Sequence, residues 1–197
     1  RRHYHPSTSF FYTYGNLPLE ESLAVIEDTV LNKFRRTTPD TDVASQPRWR
    51  KPRTGVFYYP FQLNEDSSKK CQVCVAWLTA DIRDTFDILA LSLLEQILLG
   101  KSASPLRKAL IESGLGSALC DGCGFDADNR DTLFVCGLKD VAEGAAEKIE
   151  ALIFKALTDL VDKGIDKQLI DGAIHQIEFH RKEITNTPYP YGIKLLM

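Results

Sequence analysis

Near its C-terminal end the chain reads His175-Gln176-Ile177-Glu178-Phe179-His180, two imidazoles bracketing a carboxylate. Zinc hydrolases of the His-x-x-Glu-His type hold the ion with two histidines on one helix face, and the glutamate between them serves as the base. Here the second histidine comes one residue late. At about 100° per residue, His175 and His180 stand roughly 140° apart around a helix, too far to converge on one ion. The spacing therefore predicts no metal site at this hexapeptide.

Two Cys-x-x-Cys pairs, Cys71/Cys74 and Cys120/Cys123, have the spacing of a zinc ribbon. Cys71-Gln72-Val73-Cys74 opens a β-type run, where residues three apart point to opposite faces. Only Cys120-Asp121-Gly122-Cys123 offers the tight turn that a metal knuckle needs. The five cysteines read as separate thiols, which behave as small hydrophobes when buried. Asp126-Ala127-Asp128-Asn129-Arg130-Asp131 begins like a calcium loop, but its sixth place is not Gly, and Gly137 stands where the bidentate Glu belongs. Gly114-Leu115-Gly116 lacks the third glycine of a dinucleotide fingerprint, and no Gly-x-Ser-x-Gly elbow exists. On this reading the chain has no catalytic and no metal-ligating residue of its own, and spacing names no substrate-binding residue.

The elements that must position these residues centre on Asp84–Cys120. Phe86, Ile88, Leu89, Leu91, Leu93, Leu94, Ile97, Leu98 and Leu99 crowd one helical window, which predicts a helix buried on several sides with Leu91 and Leu94 in the core. Gly100 stops it, and Pro105 suits the first turn of a second helix ending near Ser113-Gly114. Upstream, Ser9–Tyr14 is aromatic-rich and predicts a strand. Leu19, Leu23, Ile26, Val30 and Phe34 follow at helical spacing. Residues 37–54, broken by Pro39, Pro47 and Pro52 and basic at Arg48, Arg50, Lys51 and Arg53, read as a linker able to pair with acidic neighbours. Gly55–Phe61 and Lys70–Thr79 predict strands about the turn Asn64–Lys69, and Ser117–Phe125 and Thr132–Leu138 predict a hairpin about Asp126–Asp131. Asp140 and Glu143 have capping-box spacing ahead of a helix to Lys163-Gly164, and a last helix runs from about Asp166 to Ile184. The order after the linker is β-β-α-α-β-β-α-α, following an initial β-α. It predicts an α+β fold with a largely antiparallel sheet covered by helices.

The buried helix, glycine stop, Ser104-Pro105-Leu106 and Lys108-Ala109-Leu110-Ile111-Glu112-Ser113-Gly114-Leu115-Gly116 together resemble the M16 (pitrilysin-type) metallopeptidases, in particular the presequence-protease branch. Tyr4-His5-Pro6-Ser7 through Tyr14-Gly15-Asn16 resembles the strand that closes the preceding lobe in that branch. The resemblance covers most of the chain and points to the non-catalytic lobe of the N-terminal half. It implies residues 1–36 as the end of the zinc-bearing lobe, 37–54 as an inter-lobe linker, and 55–197 as the non-catalytic lobe. Pro188-Tyr189-Pro190-Tyr191 then leads toward a hinge. It also implies a zinc metalloendopeptidase as the full-length parent, degrading short unfolded peptides, with Zn in that parent and none in this segment. This segment alone is expected to be inactive, its partners being unfolded peptides and the other lobes of the same chain. Many M16 proteins use an Arg and a Tyr from this region. Here Ile111 stands about where the Arg falls, and Leu119 or Cys120 about where the Tyr falls, so that pair is missing. The alternatives are an M16-like scaffold or core subunit without proteolysis, and a zinc or redox module built on the cysteine pairs.

Composition agrees with these bounds. A net charge of −3 gives no case for nucleic acid as a partner, and no run is long enough for membrane insertion. An odd cysteine count fits a reducing, intracellular compartment, and the resemblance implies an organelle of mitochondrial or plastid type. The chain opens on Arg1, which reads as an excerpt of something longer.

Overall fold

The computed structural model describes residues 4–60, 67–183 and 191–196. The chain divides into two compact units, Arg1–Val43 with Lys182–Met197, and Ala44–Arg181.

In the first unit, α1 spans Leu19–Thr29, and a 3₁₀ turn at Leu31–Lys33 follows. Glu20 and Glu21 in its first turn complement the positive end of the helix dipole. The helical pattern is thus realised, although the regular helix stops five residues before Phe34. The Phe34 ring meets His5 edge-on at 5.3 Å, and the Tyr12 hydroxyl donates to the Gly192 carbonyl at 2.7 Å on α6 (Tyr191–Leu196). The strand expected at Ser9–Tyr14 does not form. Strand propensity needs a ladder and a surface to pack on, and here no described strand pairs with the segment while Phe10 is 95% exposed.

The second unit carries the sheet. Its long strands β1 (Cys71–Asp81) and β4 (Asp131–Val141) pair antiparallel, with β2 (Ala118–Leu119) and β3 (Gly124–Asp126) sharing the other edge of β4. The register sets Val73 against Leu138, Val75 against Cys136 and Trp77 against Phe134. Alternation puts these six on one face, and that face meets the core of Leu98, Leu99, Leu106, Leu110, Ile149 and Ile153. Helices α2 (Thr85–Leu98), α3 (Pro105–Glu112), α4 (Ala146–Lys163) and α5 (Lys167–Lys182) complete the unit. The fold is α+β, an antiparallel four-stranded sheet with helices packed on it.

Ser104-Pro105-Leu106 is the hinge of the helix pair. The buried Ser104 hydroxyl accepts from the Lys101 amide at 3.0 Å and donates to the Gln96 carbonyl at 3.3 Å, joining the end of α2 to the start of α3. Pro105 occupies the first helical turn, where its missing N–H is not needed, and Leu106 is fully buried.

Four expectations change at the level of elements. First, α2 is not buried on several sides. Only Ile97, Leu98 and Leu99 are buried at its C-terminal end, whereas Phe86 is 78% exposed and Leu91 and Leu94 are half-buried. The described part of this chain has no layer over the N-terminal half of the helix. Second, residues 55–60 form no strand. Val56, Phe57 and Tyr58 stand in solvent with nothing to pack on, and Tyr59 is held by its hydroxyl donating to the Lys70 carbonyl. Phe61 and most of the turn expected at Asn64–Lys69 lie outside the described residues; its end, Ser67–Lys69, is a 3₁₀ turn. Third, the strand expected over Ser117–Phe125 is split by a turn at Cys120–Cys123 into β2 and β3. Fourth, Asp140 does not cap α4. It stays in β4 at φ 55° with its carboxylate accepting from the Ser117 hydroxyl, and α4 begins at Ala146 without a side-chain cap. Ile184 and the Pro188–Tyr191 hinge residues other than Tyr191 lie outside the described residues.

Candidate functional site

The hexapeptide His175–His180 makes more than one turn of α5, so its two histidines stand about 140° apart around the axis while Gln176 and Ile177 are half-buried. His175 and His180 are both exposed, and the His180 Nε2 lies 2.8 Å from the Gln176 amide nitrogen one turn earlier. Among the described residues no three His, Cys, Asp or Glu side chains form a group that could hold a metal ion. The described residues thus offer no site for the zinc that the resemblance implies for the full-length parent.

Asp126–Asp131 connects β3 to β4 and is built as a turn, with the Asp128 amide donating to the Asp126 carboxylate at 2.9 Å. Its last member has a different role. Asp131 is only 7% exposed and gathers the basic segment onto the sheet. The Ser45 hydroxyl donates to it at 2.8 Å, the Gln46 amide at 2.7 Å, and the Arg48 guanidinium lies at 3.4 Å. Those two hydrogen bonds, the Gln46 amide first, hold its carboxyl below the usual range. Next to it Arg83 and Arg130 both donate to Asp81 at 2.8 Å, which pulls that carboxyl far down. Sequence reading foresaw acidic partners for the Arg48 region but not Asp131. The signal was a charged residue at the first position of a strand.

Glu95 was also missed, although a lone carboxylate inside Leu94-Glu95-Gln96-Ile97-Leu98 was visible as an anomaly. Burial pushes its carboxyl up, opposed by a hydrogen bond from the Phe125 amide.

A cleft of about 440 Å³ lies beside α3 and β2, lined by Arg107, Lys108, Ile111, Glu112 and Leu119 among others. Ile111 and Leu119, the first about where the resemblance expects the Arg and the second one of two places it allows for the Tyr, both line this cleft. They bring apolar surface there, with Arg107, Lys108 and Glu112 as the charged residues of the lining. A smaller hollow of about 60 Å³ lies between the end of α2 and α5, near Gln96, Ser104 and Gln176. Neither hollow contains an assembled nucleophile and base.

Fold and site together define an α+β domain whose described residues hold no metal-binding group. A family model described as the peptidase M16 inactive domain matches residues 1–177. The mitochondrial presequence protease of Danio rerio is 39% identical over 181 residues, covering 91% of this chain and 18% of that protein. Presequence protease 1, chloroplastic/mitochondrial, of Arabidopsis thaliana is 34% identical over 200 residues, covering all of this chain and 18% of that protein. Protein HypA of Clostridium perfringens is 30% identical over 193 residues, 98% of this chain and 20% of that protein. The chain belongs to the peptidase M16 family and matches its inactive domain. It spans about a fifth of the length of these relatives. No helix among the described residues is long and apolar enough to cross a membrane.

Proposed function

We propose that this chain is a wall and peptide-contact lobe of a zinc-dependent metalloendopeptidase that degrades short unfolded peptides. Within it, residues 1–36 close the preceding zinc-bearing lobe, 37–54 link the lobes, and 55–197 are the non-catalytic lobe. The metal, the catalytic base and the scissile-bond chemistry belong to other parts of the parent. Unfolded peptides and the other lobes of the same chain are its partners, and a mitochondrial or plastid-type organelle is its setting, in keeping with the names of the relatives.

The single observation that supports a peptide-contact role most is the geometry of β1. This eleven-residue strand pairs with β4 along one edge, and no second strand lies along its other edge among the described residues. Such an edge accepts an extended peptide through main-chain hydrogen bonds, which is independent of sequence and suits a scavenger of varied peptides. A photoreactive side chain placed at the exposed Gln72 of β1 in the intact protein tests this directly. Crosslinking to an unfolded peptide, and none to a folded protein of similar size, is the expected result. Equal labelling of both, or of neither, would remove the peptide-contact role. An intact protein without chelator-sensitive peptide turnover would instead be an M16-like scaffold.

A further inference from the structure

The turn that splits the third strand brings two thiols together. Cys123 N–H donates to the Cys120 carbonyl at 3.2 Å, closing a four-residue β-turn. Gly122 supplies φ 74° at the third position, as a type II turn demands, and Asp121 remains at negative φ. A closed β-turn holds its end Cα atoms within about 7 Å, overlapping the range of roughly 4.4–6.8 Å that a disulfide spans. Neither cysteine is bridged to another. Gly137 of β4 fastens the start of the turn, its carbonyl accepting from the Cys120 amide at 3.0 Å.

The two sulfurs differ in access and charge. Cys120 is 4% exposed, whereas Cys123 is half-buried, so a reagent from solvent meets Cys123 first. The Cys120 thiol donating to it, the Gly137 amide and the Arg107 charge favour the Cys123 thiolate, while burial and Glu95 oppose it; the balance brings Cys123 down to about 7. The same hydrogen bond, together with burial and the nearby Cys74 and Cys136, pushes Cys120 up. A metal knuckle at this turn would need further ligands. Cys136 faces the core opposite Val75, Cys74 belongs to the other face of the sheet, and no three-ligand group results.

We propose that Cys120 and Cys123 form a reversible dithiol–disulfide site oxidised by low-molecular-weight disulfides, with Cys123 as the attacking thiol and Cys120 as the resolving one. The Cys123 thiolate attacks one sulfur of the small disulfide, forming a mixed disulfide as the other sulfur leaves as a thiolate. Cys120 then gives up its proton and attacks the Cys123 sulfur, so the Cys120–Cys123 bond forms and the second small thiolate leaves. One small disulfide is reduced to two small thiols, and one protein dithiol is oxidised.

The test uses the intact protein, equilibrated with glutathione and glutathione disulfide at several ratios, then acid-quenched, alkylated and peptide-mapped. The fragment holding Cys120 and Cys123 should pass from doubly alkylated to bridged as the buffer becomes oxidising. Cys120→Ser should instead stop at one glutathione on Cys123, and Cys123→Ser should lose both adduct and bridge. The initial rate at Cys123 should have its half-point near pH 7, below the value of about 8.5 for a free thiol. Wild-type mapping needs no variant, so it decides even if a serine variant misfolds. A pair that stays doubly alkylated in oxidising buffer overturns the proposal, as does a bridge from Cys123 to Cys74 or Cys136, or stoichiometric zinc released on oxidation.

Discussion

At the scale of single residues, Asp131 shows how one carboxylate fixes the path of an irregular segment. Residues 44–49 have no helix or strand, so their backbone polar groups must find partners elsewhere. The carboxylate takes the Ser45 hydroxyl and the Gln46 amide together. Its folded-state carboxyl lies below its unfolded value, and so does that of Asp81. Both groups therefore contribute stability that is fully present above the unfolded value of about 3.9 and is lost as pH falls below it toward the folded values. Thermal midpoints measured from pH 7 down to 3 should drop steeply below about pH 4 in the wild type. Asp131→Asn removes one titrating site and one charge-assisted acceptor, so its midpoint should be lower at pH 7 and its pH dependence flatter. A variant with the wild-type profile would show that Asp131 does not anchor this segment.

Elements differ in how much of their apolar surface this fold covers. Leu110 on α3 is fully buried, so Leu110→Ala should cost about 2–5 kcal/mol of the kind measured for core truncations. Phe86→Ala on the exposed end of α2 should stay within about 0.5 kcal/mol in the isolated chain. Denaturant midpoints of the two variants side by side check the contrast, and equal losses would mean that the N-terminal half of α2 is packed after all. In the sheet, a Cβ added at Gly137 would lie 2.0 Å from the Val73 carbonyl oxygen. That oxygen is backbone and cannot rotate away, so Gly137→Ala should separate β1 from β4 locally and cost about 1–3 kcal/mol, as overpacking does. Amide exchange in β1 should quicken in this variant before that in α4 does.

At the scale of the whole molecule, membership of the M16 family and a match to its inactive domain set what the chain can do alone. Purified by itself and supplied with zinc, it should show no chelator-sensitive cleavage of a fluorogenic peptide. In the intact protein, His175→Ala should leave zinc content and turnover unchanged, because His175 and His180 project from different sides of α5. Loss of zinc in that variant, read by elemental analysis, would put a metal ligand on this helix and overturn the assignment of the lobe.

Periodicity and punctuation are local properties, and wherever structure is locally decided the sequence was sufficient. The helix expected up to Lys163-Gly164, the glycine stop after α2, Pro105 opening α3 and the strands expected at Lys70–Thr79 and Thr132–Leu138 all marked elements that formed, and they established the α+β class. The misplaced His180 was also readable from spacing alone. Tertiary structure decided what depends on a partner distant in sequence. Ser9–Tyr14 and residues 55–60 have strand-forming side chains, yet a strand exists only where another lies beside it. The α2 stripe states which residues can be buried, but burial requires a covering layer, and the described residues supply one only at Ile97–Leu99. Asp140 had the spacing of a cap, and the pairing of Val141 with Cys71 kept it in the sheet instead. The closeness of Cys120 and Cys123 was readable from four residues. That the Gly137 carbonyl holds the start of their turn, with the charges of Arg107 and Glu95 acting on Cys123, arose from packing elements distant in sequence against one strand.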